Sequence, residues 1–355
     1  LTPPLLPVVP AISQLRFRTY RDEADIPAIA GLLAASYSAN GDTVHVDPEE
    51  LRVETRHLTN VDPRQDMVLG LVGERLVARS LLTWADTPDG SARYYQSWGD
   101  VHPDWRRRGI GTAMWRRNIE RLRAIAAGQT FAGERLLTVP WLRHGDVGGA
   151  VLARRFGYER VRVYHHMTRP TLDDVEIPPL PDGLEVRPVT RADLPAIWDA
   201  IIEAFRDHFG AFDTSQESYR AWIESPSTDP SLMIIAFDGD EVAGGIHNVI
   251  DPAENEAQGY LRGWTDPVYV RRRWRRRGLA AALMGRALLR LREEGMTSAQ
   301  LDVDAENPHD ALTLYERHGF VSDRSATEWH RPLADAMPRS RDAARDRAGG
   351  QAADD

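Results

Sequence analysis

One arginine-rich turn occurs twice in this chain. It reads Val101-His102-Pro103-Asp104-Trp105-Arg106-Arg107-Arg108-Gly109-Ile110-Gly111 and again Val270-Arg271-Arg272-Arg273-Trp274-Arg275-Arg276-Arg277-Gly278-Leu279-Ala280, with Gly109 and Gly278 169 positions apart. The same offset relates Leu15-Arg16-Phe17-Arg18 to Leu184-Glu185-Val186-Arg187. Separate stretches that recur at one spacing indicate an internal duplication, so the chain must fold as two similar units. Its 355 residues agree, because a single hydrophobic core seldom organises so long a chain.

The turn has a physical reading of its own. Val268 and Val270 alternate as strand residues do, and an Ala/Leu-rich run from Leu279 to Glu294 has helical character. Between them Gly278 permits a positive φ and a close backbone approach. The unpaired N–H groups of a helix start and the positive end of its dipole then face the turn, a setting that suits a pyrophosphate. Arg275, Arg276 and Arg277 add charge-assisted donors.

The remaining elements repeat in the same order. In the first copy a strand at Leu15 to Tyr20 leads through Pro27 to a helix at Ala28 to Ser36. A mixed loop and helix segment follows at Asn40 to Arg64, then a hairpin at Met67 to Leu82 turned by Gly73, and a strand at Tyr94 to Val101. The loop, a helix to Ala127, a strand at Arg135 to Val139 and a last strand at Val161 to Met167 complete it. The second copy places a strand at Leu184 to Val189, a helix at Pro195 to Phe205 and hairpin strands at Leu232 to Phe237 and Val242 to Val249. After these come a strand at Gly259 to Val270, the loop and its helix, a strand at Ala299 to Asp304, a helix at His309 to His318 and a strand at Ala326 to Arg331. The expected division is an N-terminal extension (1–14), a first domain (15–170), a Pro-rich linker (171–183), a second domain (184–335) and a disordered tail (336–355).

Composition narrows the function. There is no cysteine, which excludes disulfides, thiolate metal sites and a cysteine nucleophile. All 44 basic residues are arginine, so no lysine can form a Schiff base. A net charge of −9 argues against general nucleic-acid affinity, and no apolar run approaches the roughly 20 residues of a membrane span. The expected setting is cytoplasmic, with neither nucleic acid nor membrane as partner and no metal.

The motifs resemble a known family. Arg275-Arg276-Arg277-Gly278-Leu279-Ala280 resembles the Arg/Gln-x-x-Gly-x-Gly/Ala acetyl-CoA loop of the GNAT N-acetyltransferases, and Arg106 to Gly111 matches it with both Gly109 and Gly111. Asn307 and Leu314-Tyr315-Glu316-Arg317-His318-Gly319-Phe320 resemble the second half of that signature. The resemblance implies an α/β (α+β) fold of two tandem GNAT-like domains, each a mixed, mostly antiparallel sheet flanked by helices. It implies acetyl-CoA as cosubstrate, its pantetheine arm lying between Tyr269–Arg271 and Leu301–Ala305, strands that splay apart. On that analogy Val268 and Val270 line the arm, the Val270 N–H polarises the thioester carbonyl, Asn307 bonds the pantetheine amides and Tyr315 protonates the leaving thiolate.

The base is open among Asp266, Asp302, Asp304 and His247, with Asp266, reached through water, preferred; Asp304 also suits a cap for the turn into Asn307. The acceptor side falls on the loop after the first helix, at Phe205, Asp207, His208 and Phe209, whose aromatic walls and acid suit a small cationic amine. Phe212, Tyr219 and Trp222 are further candidates, or a cluster packing on its own sheet. Aligning Gly157-Tyr158 with Gly319-Phe320 puts Ala153 opposite Tyr315 and Gly145 opposite Asn307, so the first copy lacks the acid and the pantetheine ligand. A degenerate first copy before an active second resembles the organisation of the mycothiol synthase branch. The expected activity is acetyl transfer to the primary amine of a small molecule; a non-catalytic acyl-CoA-binding module is the alternative.

Overall fold

The computed structural model describes Leu6 and residues 9–334, so the expected tail lies outside the described residues. The first half contains β1 (Leu15–Thr19), α1 (Ile26–Ala39), α2 (Pro48–Arg56), α3 (Pro63–Asp66), β2 (Met67–Val72), β3 (Arg75–Asp86) and β4 (Ala92–Val101). It continues with α4 (Ile110–Ala127), β5 (Glu134–Arg143), α5 (Val147–Arg155) and β6 (Glu159–Arg169). The second half contains β7 (Glu185–Val186), α6 (Leu194–Phe205), α7 (Gln216–Glu224), β8 (Met233–Asp238), β9 (Glu241–Val249), α8 (Pro252–Gln258) and β10 (Arg262–Val270). It ends with α9 (Leu279–Glu293), β11 (Ser298–Asp304), α10 (Ala311–Arg317) and β12 (Val321–Pro332).

All twelve strands form one sheet, in the order β1-β2-β3-β4-β5-β12-β6-β11-β10-β9-β8-β7. Read inward from each edge, the two halves present the same succession of five strands, with β4–β5 and β10–β11 as the parallel pairs and the other pairs antiparallel. The sixth strands are exchanged. β6 does not pair with β5; it lies between β11 and β12, and β12 lies against β5. Each half therefore completes the other's core: Met167 of β6 is buried with Leu301, Tyr315 and Phe320, and Trp329 of β12 with Leu137, Val139 and Tyr158. Exchange leaves no unpaired edge at the centre of the sheet, where a bare ladder would expose N–H and C=O groups.

Several elements differ from expectation for local reasons. The polar 40–64 segment contains α2 and α3, each started by an aspartate (Asp47, Asp62) whose side chain accepts a backbone N–H, with proline in the first turn. Tyr219 and Trp222, read as loop residues, stand on α7, capped by Ser215. The strand expected from Gly259 begins at Arg262, after α8 ends at Gly259 with φ +70°. α10 starts two residues late because the Asn307 side chain turns the chain onto the His309 N–H (2.9 Å) and Asp310 is left-handed.

Candidate active site

β10 carries the chain into the repeated turn. Pro267 has no N–H to give a ladder, and the β10–β9 register shifts between Thr265 and Val268, so the strand bulges there and Asp266 faces outward. β10 and β11 pair only from Arg262–Ser298 to Trp264–Gln300; beyond that the strands part. In the loop Arg276 and Gly278 have φ +59° and +85°, and in the first copy Arg107 and Gly109 have φ +62° and +87°. Space is not what requires glycine at 278, since an added Cβ would meet nothing within 4 Å; the left-handed backbone is.

The arginines divide into two groups. Arg271 bonds Glu203, Arg272 and Arg275 share Asp207, and Arg273 bonds Glu241. Arg275 also donates to the carbonyls of Val270 (2.9 Å) and Ala204 (3.1 Å), bracing the strand end against α6. Arg106 does the same in the first half, on Val101 and Ser36. Among the described residues no carboxylate neutralises Arg276 or Arg277, both exposed at the start of α9. The charge left for a phosphate therefore sits on these two rather than on Arg275.

Between the parted strands lies a cleft of about 800 Å³ whose wall includes Asp266, Val268, Val270, Asn307 and Tyr315, with Gly278 and Ala280 at the loop. Leu279 reaches the cleft from α9 but is anchored in the core, and Arg277 is not part of the wall. Tyr315 is 6% exposed; burial, and secondarily the nearby Asp266 carboxyl, push its hydroxyl well above the usual tyrosine range. Asp266 is exposed, but to the cleft: its carboxyl is set deep among protein atoms, and poor hydration followed by the charge of Asp302 pushes it up to about 7. A carboxyl raised to about 7 and a phenol that stays protonated at neutral pH thus line one cavity.

A family model described as "Acetyltransferase (GNAT) family" matches residues 197–320. A mycothiol acetyltransferase from Geodermatophilus obscurus is 32% identical over 320 residues, 87% of this chain and 95% of that protein. One from a Parafrankia species is 30% identical over 88% of this chain and 96% of its own length. The chain belongs to the GNAT acetyltransferase family. It is an acyltransferase enzyme. A GCN5-related N-acetyltransferase from Sphaerobacter thermophilus shares the fold at TM-score 0.67 and 24% identity, over 94% of this chain and 99% of that one. So does a tandem GNAT protein from the clavulanic acid biosynthesis pathway, at 0.62 and 18%, over 91% and 99%.

On this GNAT scaffold the other sequence candidates separate. Asp304 is buried, accepts the Glu306 N–H (2.9 Å) and pairs with Arg162, which makes it a turn cap. His247 is buried against Trp222 and Tyr269, and burial pushes it down to about 3, so it is neutral at physiological pH. Phe205 and His208 line the cleft. Asp207 is the anchor of Arg272 and Arg275, and Phe209 leaves the cleft to stack on His330 (5.7 Å) and Arg162 (4.3 Å). Tyr219 and Trp222 pack on Trp198.

The first half keeps the loop, but the space beyond that loop is filled. A Cβ on Gly145, opposite Asn307, would stand 1.9 Å from the Asn40 carbonyl at the end of α1, and Gly111 faces Leu152. Ala153, opposite Tyr315, is fully buried in α5. Two residues to which sequence reasoning gave no role stand at or beside the cleft: Tyr269, whose buried hydroxyl has no hydrogen-bond partner, and His166, which bonds Asp302 on the cleft wall from the other half. Neither has a local motif that could have marked it.

No helix among the described residues is long and apolar enough to cross a membrane.

Proposed function

We propose that the second half transfers an acetyl group from acetyl-CoA to the primary amine of a small molecule, and that the first half (15–170) is non-catalytic and serves as a wall for the acceptor. The observation that carries this reading is the meeting, in one cleft, of a glycine turn carrying the unpaired Arg276, a carboxyl raised to about 7 and a buried tyrosine hydroxyl. The loop N–H groups from Arg277 to Ala280, with Arg276 and Arg277, hold the pyrophosphate, and the open edges of β10 and β11 accept the pantetheine arm, with the Asn307 amide beside it. Acetyl-CoA supplies an activated thioester carbonyl and a thiolate leaving group. Asp266 takes the proton that frees the ammonium's lone pair; the Val270 N–H faces the carbonyl oxygen; Tyr315 gives its hydroxyl proton to the departing sulfur, and the second proton shed by the nitrogen returns to the Tyr315 phenolate, leaving amide and free thiol.

The acceptor side is supported by a second cavity of about 280 Å³ at the seam of the halves. Asp302 lines both cavities, and Trp141, Arg143 and Asp42 of the first half form part of the smaller one. Asp42 there is paired with Arg143 and Arg324, which leaves Asp302 as the carboxyl that an amine approaching from the seam would meet. Relatives named mycothiol acetyltransferase support an acceptor of the type those enzymes take.

Gly278→Val tests the reading. A β-branched residue cannot hold a φ near +85° without strain, so acetyl-CoA binding measured by calorimetry is expected to weaken about 10- to 100-fold while thermal unfolding stays cooperative. One site per chain is expected in the unmodified protein. Unchanged affinity in the variant would remove the second loop as the binding site.

A further inference from the structure

The exchanged strand β6 brings His166 of the first half directly opposite Asp302 in the ladder, and its Nδ1 lies 3.0 Å from an Asp302 carboxylate oxygen. A carboxylate only accepts, so Nδ1 carries the hydrogen of this bond. His166 is 8% exposed, and its Nε2 has no hydrogen-bond partner. Around it stand the Trp264 ring, edge-on at 5.4 Å, and the Asp323 carboxylate of β12 at 4.0 Å; Arg324, its ladder neighbour on the other side, is held by Asp42, Thr43 and Asp323. Asp302 in turn is the group common to the two cavities.

We infer that His166 is a positioning residue for the acetyl transfer run in the other half: its Nδ1–H fixes the Asp302 carboxylate in the orientation that receives the acceptor's ammonium between the seam cavity and the cleft. The inference rests on the proposed assignment of the acceptor to the seam. Its geometric basis is independent of that assignment, because a buried imidazole with one nitrogen bonded to a cleft carboxylate and the other unpartnered gives a one-sided tether. The dyad does not seal Asp302 into the sheet: its side chain remains 28% exposed and lines both cavities. The first half, without acid or pantetheine ligand, would then still supply a group the reaction uses, and the strand exchange is what delivers it.

The test separates the donor from mere packing. An asparagine amide can place an N–H where Nδ1 stands; a glutamine amide places it nearer Nε2. With acetyl-CoA saturating and glucosamine, tyramine and spermidine as acceptor probes, thiol release is measured for wild type, His166→Asn, His166→Gln and Asp302→Asn. We expect His166→Gln and Asp302→Asn to raise the acceptor KM about 10- to 100-fold, the loss of a charge-assisted bond or of the charge itself, with acetyl-CoA affinity unchanged. His166→Asn should stay within about threefold of wild type. Equal KM in all four proteins, or equal loss in the Asn and Gln variants at matched melting temperature, overturns the inference. Long-range ¹H–¹⁵N spectra of the free wild-type protein provide a second arm: His166 must be the Nδ1–H tautomer, and the Nε2–H tautomer overturns the dyad. Should the wild type acetylate none of the probes, the proposed function is at fault for those amines, and the tautomer still decides the dyad.

Discussion

Tyr315→Phe is expected to lower kcat by about 100- to 10,000-fold, the usual contribution of a positioned general acid, with little change in acetyl-CoA binding. The ring is buried against Phe320 and Met167, and the variant keeps it, so the fold should not respond. What is lost is a proton for the sulfur. A phenol whose ionisation burial has raised stays protonated at neutral pH and so holds a proton to offer the departing sulfur. Thiol release at saturating acetyl-CoA, with circular dichroism as the folding control, measures the effect. Full activity in this variant would move the acid elsewhere and remove the argument that places catalysis in the second half.

Asp266→Asn should cost a similar factor in kcat/KM and also change the shape of its pH dependence. In the unmodified enzyme Asp266 works as a base only when ionised, so kcat/KM should rise with pH through about 7 and level off above. The variant should be flat across that window. Stability should move in the opposite sense to activity. The folded carboxyl is raised from 3.8 to about 7, so the native state prefers it protonated; the stability this contributes is present at low pH and is lost as pH rises between those values. At pH 8 the neutral asparagine should therefore melt at or above the wild-type temperature. A wild-type profile with no inflection near 7 would exclude Asp266 as the group that limits the reaction.

The two expectations differ in how far they could be read from the chain. Tyr315 was legible because its neighbours in sequence, Leu314 to Phe320, form one helical turn and its exit, and the spacing to Asn307 is local. Asp266 was one carboxylate of three. The sequence favours Asp266 over Asp302 and Asp304 only by its place on the strand before the loop; in the structure Asp266 lines the cleft beside the bulge at Pro267, while Asp304 is engaged by the Glu306 N–H and Arg162. The sequence shows an arginine cluster at the turn but does not say which arginines are free. Asp207, Glu203 and Glu241 come from elements distant in sequence, and these three carboxylates pair with four of the arginines, Asp207 being shared by Arg272 and Arg275.

By itself the sequence determined the duplication, the strand-turn-helix with its left-handed glycine, and the half that retains Tyr315 and Asn307. These depend on backbone dihedrals, on the orphan N–H groups of a helix start and on side chains a turn apart, and all such interactions are specified within a dozen residues. Only the tertiary structure decided where β6 and β12 go, and so that His166 meets Asp302 across the seam. Strand exchange has no local signature: β6 alternates as any last strand does, and the choice between the edge of β5 and the edge of β11 is made by which core Met167 and Trp329 can fill.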